Sequence, residues 1–161
     1  MSRHLAGRLA FVESVLLTLW LGAALFFAAF VAPAAFALAP TPSFAGALVG
    51  RLLAPLFATG TVIGLAIVAI EFRWPRSGSR LRGAAAGVML AACAAAQFAI
   101  GAQIERLRSA AGGPIAMLER NDPRRVAFGR LHALSVAALA AAMVAAATAT
   151  AGSRVRLARG S

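Results

Sequence analysis

Hydrophobic and polar positions fall in long blocks along this chain. Four blocks, residues 9–31, 52–70, 83–100 and 131–150, are almost entirely apolar. Each is close to the roughly 20 residues with which an α-helix crosses the ~30 Å hydrocarbon core of a bilayer. The pattern predicts four transmembrane helices joined by polar connections. Pro33, Pro40 and Pro42 punctuate the first connection, and "RWPRSGSR" is a tight polar second one. The third, residues 103–130, carries "AGGP" and "NDPRR" as turn signals, with "IAMLER" between them as a candidate short surface helix. The predicted fold is all-α: an integral-membrane, antiparallel four-helix bundle, one four-span domain over residues 1–161. Arg3, Arg8 and the small residues of "FALAPT" have the look of a signal peptide. An apolar run of residues 9–31, however, exceeds the 7–15 residues of a signal core. A retained first span is expected.

Composition agrees with a lipid environment. The chain is 61% hydrophobic and 13% charged, with a mean hydropathy of +0.82. Soluble domains carry about 25% charged residues, and a chain of 161 residues cannot hide so much apolar surface in one aqueous core. The net charge of +11 would suit nucleic acid, but its distribution excludes that partner. All 16 basic residues are arginines, nearly all placed between the apolar blocks, where they meet lipid headgroups. Nine of them share a side with both termini and seven lie opposite, so both termini are expected in the cytoplasm. The richness in Ala, Arg and Gly suggests a bacterial genome, hence the bacterial cytoplasmic membrane. Cys93, the single cysteine, lies in an apolar run and reads as a small buried hydrophobe.

Lipid gives helices no hydrophobic reason to associate, whereas small residues let their backbones approach closely. Gly60 and Gly64 in "GTVIG", and Gly83 and Gly87 in "GAAAG", are candidate packing positions. The second pair is extended at four-residue steps by Ala91, Ala95 and Ala99. On the first span Leu17, Trp20, Ala24, Phe27 and Val31 recur at helical spacing as a packing or lipid face.

Polar groups inside a bilayer are costly, and each needs a role. Glu13 is an intramembrane acid, suited either to proton handling or to an anchoring pair with an arginine such as Arg82 or Arg154. Glu71 is expected to pair with Arg73 at the membrane boundary. His132 opens the fourth span on the side opposite to His4, roughly 30 Å away, so the two histidines cannot ligate one haem. A candidate outer-end polar cluster gathers Arg51, Gln97, Gln103, Glu105, Arg130, His132 and Ser135, with Phe128 on the face of His132. Its alternatives are a binding site and an interfacial anchor that sets helix tilt. Soluble-enzyme motifs are absent, and no catalytic residue or metal site is expected.

The segments "LWLGAALFFAAFVAPAAF" (19–36), "AGALVGRLLAPLFATG" (45–60) and "RRVAFGRLHALSVAALAA" (124–141) resemble the transmembrane protein 205-like family of small four-span proteins with an uncharacterised domain. That resemblance implies a four-helix membrane protein and brings no reaction with it. The function expected is therefore non-enzymatic: an accessory, scaffold or assembly subunit docking to a larger membrane complex or to copies of itself. Two alternatives remain, a haem- or metal-binding protein using His132 and a transporter of protons or small solutes using Glu13 and Gln97.

Overall fold

In hydrocarbon the backbone must satisfy its own N–H and C=O groups, which for a single segment means a helix. The computed structural model describes the backbone of residues 3–74 and 80–159 and the side chains of residues 7–74 and 80–151. Most of the second connection, with Arg76, falls outside these residues, as do the side chains of Arg3, His4, Arg154, Arg156 and Arg159. Among the described residues there is no strand, and 91% of the structure is helical. Four helical segments, Gly7–Leu38, Pro42–Arg73, Arg80–Ala110 and Pro123–Ala151, are long and apolar enough to cross a membrane.

The first span was expected to stop near Val31, before Pro33. Instead α1 (Arg3–Phe26) runs through a wide π turn, Phe27–Val31, into α2 (Ala32–Leu38). Proline in a helix lacks an N–H and crowds the carbonyl four residues back. The chain accommodates Pro33 with one extra residue in the preceding turn, where the Ala32 N–H donates to the Phe27 carbonyl. The second span, α3 (Pro42–Arg73), starts at an N-cap: the Thr41 hydroxyl accepts from the Phe44 N–H at 3.2 Å, and Pro42 takes the first helical position. The third span is α4 (Arg80–Ala94), a second π turn (Ala95–Ile100) and α5 (Gly101–Ala110). It ends where Gly112 adopts φ +64°, a left-handed conformation that suits a residue without Cβ. Of the "IAMLER" segment only Ile115–Met117 form a single 3-10 turn. The fourth span, α6 (Pro123–Arg159), begins well before residue 131 because Asp122 caps it and Pro123 opens it.

Consecutive spans are neighbours, and α4 packs most extensively, against both α3 and α6. The core holds Leu17, Trp20 and Ala24 of α1, Phe57 and Ile67 of α3, and Met89 and Cys93 of α4. Alanines of α6 (Ala142, Ala145, Ala146 and Ala149) complete it. The tightest crossing lies at Gly60: a Cβ there would stand 2.6 Å from Cys93 Sγ and 2.9 Å from the Trp20 ring. The buried Trp20 indole fills this notch and donates to the Leu56 carbonyl at 2.9 Å. At Gly64 a Cβ would meet the Leu90 backbone at 3.0 Å. On the third span the small-residue ladder turns out differently. Gly83 only grazes Glu71 at 4.0 Å, Gly87 faces open space, and Ala91, Ala95 and Ala99 are exposed. The packed face of α4 is instead Arg82, Ala85, Ala86, Met89 and Cys93, because burying Arg82 sets the rotation of the helix.

Adding a methyl group at Gly60 overpacks a crossing of three helices, a change that costs about 1–3 kcal/mol. Thermal unfolding in detergent is expected to show a lowered midpoint for Gly60→Ala, partial recovery when Cys93→Ala is added, and no loss for Gly87→Ala.

Candidate functional site

The described interior contains four buried polar or charged side chains: Glu13, Glu71, Arg82 and Ser135. Three of them meet. Arg82, at the start of the third span, forms an ion pair through Nη2 with Glu13 Oε2 of the first span. Its Nη1 lies 3.9 Å from Glu71 Oε1 at the end of the second span. The side chains of Arg82 and Glu13 are 3% exposed and that of Glu71 is 7% exposed. Each residue borders the uncharged stretch of its own helix, so the cluster lies at one membrane interface yet is enclosed by protein. Burying charges costs several kcal/mol per ion, a cost that only close pairing offsets. One guanidinium shared by two carboxylates ties three helices together at this end.

Glu13 therefore meets Arg82, one of the arginines expected for it, and the pair is enclosed by protein; the side chain of the other, Arg154, lies outside the described residues. Glu71 does not pair with Arg73, contrary to expectation. Residues two apart on a helix point about 200° away from each other. Glu71 follows Gly60, Gly64 and Ile67 on the core face, and Arg73 turns outward to lie 5.6 Å from the Trp74 ring centroid.

At the opposite end the expected polar cluster is spread over the surface. Arg51, Gln103, Glu105, Arg130 and His132 are exposed, Gln97 is half-buried within the second π turn, and Ser135 is buried. The His132 ring lies nearly parallel to Phe128, with 6.5 Å between centroids, and the Ser135 hydroxyl donates to the His132 carbonyl at 2.8 Å. The residue that joins elements here is Arg108, which the sequence did not single out. Its Nη2 donates to the Gly46 carbonyl at 3.2 Å, its guanidinium carbon lies 5.7 Å from the Phe128 ring centroid, and Nη1 is 3.9 Å from Glu105. Three spans are thereby linked. Nearby, both Asp122 carboxylate oxygens accept from Arg124, and Oδ1 also takes the Arg124 backbone N–H. These bonds hold the Asp122 carboxyl below its ordinary range, the side-chain bond being the largest cause. Among the described residues no three His, Cys, Asp or Glu side chains come close enough to share a metal ion.

The arrangement is thus a bundle clamped at both ends, and comparison with known families places it. The model of a domain of unknown function, DUF4149, matches residues 15–112, more than half of the chain. The chain belongs to the DUF4149 family. The matched segment contains Trp20, Gly60, Glu71, Arg82 and Arg108, and it ends before the fourth span. The DUF4149 match is an uncharacterised domain, as expected of the family, but it lends no support to the transmembrane protein 205-like name. No curated protein and no solved structure matches the chain.

Two predictions follow from the clamps. Removing one partner of a buried ion pair costs roughly 3–5 kcal/mol, whereas apolar replacement of the whole cluster is often neutral or stabilising. Arg82→Met alone is expected to destabilise the bundle strongly in denaturant titrations, and Glu13→Leu/Glu71→Leu/Arg82→Met to recover most of the loss. For Asp122 the sign follows from its lowered folded-state pKa. Its contribution to α6 is fully present above the ordinary carboxyl pKa and is lost as pH falls through the lower, folded value. Hydrogen exchange of the Arg124 amide should stay protected at neutral pH, lose protection only in strong acid, and be unprotected at all pH values in Asp122→Ala.

Proposed function

We propose that this DUF4149 protein is a non-enzymatic accessory or assembly subunit of the bacterial cytoplasmic membrane. It docks to other membrane helices with both termini on the cytoplasmic side. The observation that carries this reading is how the molecule divides its groups. Glu13, Glu71 and Arg82 are engaged with one another inside the bundle, and the Trp20 indole is bonded to Leu56. The outward face of the first span carries Phe11, Val15, Leu19 and Phe26, each 39–66% exposed. Gly22 sits in the same stripe with nothing within 4 Å of a Cβ position. Large apolar side chains around one small residue at helical spacing suit the close approach of a second transmembrane helix. Gly60 and Gly64 are occupied within the chain, so the docking surface is assigned to this stripe rather than to them.

A photo-crosslinking amino acid at Leu19, irradiated in native membranes, is expected to give a discrete protein adduct that Gly22→Leu abolishes. The same probe at Val144, 67% exposed on the fourth span, should label lipid alone. Lipid adducts alone at both positions would overturn the reading. So would a Soret band lost in His132→Ala, or a proton flux in vesicles lost in Glu13→Gln.

A further inference from the structure

The seam between the first and second spans opens into a groove of about 400 Å³. Ala23, Phe27 and Val31 line one wall, and Leu52, Leu56 and Thr59 the other. Two backbone features border it: the π turn at Phe27–Val31 and Pro55 within α3. The helices are held together on either side of it. Trp20 bonds to Leu56 toward the middle of the membrane, and the short connection between Leu38 and Pro42 joins the two helices at their ends.

The groove is apolar. The Thr59 hydroxyl is bonded to the Pro55 and Leu56 carbonyls of its own helix at 2.9 and 3.0 Å, so water gains few partners there. Its volume is about that of one turn of a helix of 10–12 Å diameter, too little to seat a transmembrane segment but enough for a hydrocarbon chain. From Leu52 to Thr59 it extends about 10 Å along the helix.

Arg51 directly precedes the lining residue Leu52 along α3. The side chain is exposed, lies one turn above Pro55 on the same face and, among the described residues, forms no ion pair. The uncharged residues 52–70 below it span about 28 Å, which puts the guanidinium at headgroup depth. We propose that this seam binds one anionic phospholipid, an acyl chain lying in the groove and the phosphate on Arg51.

The test uses the full chain in phosphatidylcholine vesicles containing a trace of chain-spin-labelled phosphatidylglycerol or phosphatidylcholine. Electron paramagnetic resonance reads the immobilised fraction. The expected result is one immobilised lipid per chain, with phosphatidylglycerol preferred about fivefold, the effect of one arginine near a surface. Leu56→Trp and Ala23→Leu should each fill the groove and remove the immobilised component. Ala23 is exposed, so its variant decides the matter if Leu56→Trp fails to fold. Arg51→Gln should keep the immobilised lipid and bring the preference close to one. An immobilised fraction unchanged by both groove-filling variants would overturn the proposal. So would a dimer that dissociates in Ala23→Leu, which would make a second copy the occupant. A headgroup preference that survives Arg51→Gln would overturn the assignment of the phosphate.

Discussion

The guanidinium of Arg82 has no water to turn to, and its end of the bundle is organised around that fact. Its partners come from two other spans, Glu13 and Glu71, so placing one residue positions three helices. It also sets the rotation of the third span. With Arg82 inward, Ala85, Ala86, Met89 and Cys93 must follow at helical spacing, and the glycine–alanine ladder turns away. Such a cluster contributes less to net stability than to the choice of one arrangement, because alternative rotations would leave ionised groups in hydrocarbon.

The middle of the membrane is held by shape. Gly60 leaves a notch, Trp20 fills it, and the indole N–H reaches the Leu56 carbonyl. In a medium where side chains gain nothing by hiding from solvent, this combination of close backbone approach and a satisfied polar group is what makes one helix prefer another over lipid. Arg108 closes the far end by a different route, resting on Phe128 and bonding to Gly46. Ionic, steric and mixed contacts thus follow one another from one surface of the bilayer to the other.

The number of spans and their centres were legible in the sequence, because the hydrocarbon thickness imposes a length that the chain repeats four times. The ends were less so. Thr41–Pro42 and Asp122–Pro123 are capping signals that look like turns when only hydropathy is followed, and Pro33 looked like a stop because a wide turn leaves no mark on composition. Rotation was the hardest to read. Gly60 and Gly87 occupy similar motifs, and only tertiary contact separates the packed one from the open one. For Glu71 adjacency misled, since Arg73 is close along the chain and far around the helix. Arg108 carried no signal that set it apart from Arg106. Of the outer-end residues, the proximity of His132, Phe128 and Ser135 was readable from spacing alone, but not that the ring would face outward.

The two wide turns have a consequence for how this molecule can change over time. Each inserts a residue into a helix without breaking it, which shifts the phase of everything beyond by up to about 100°. The first and third spans are therefore not single rods with one face from surface to surface. Each is a pair of shorter rods whose facings are set separately. Substitutions near the Arg108 end can re-aim side chains there while the ionic centre at the other end keeps its geometry, so the two ends of the bundle are free to diverge independently.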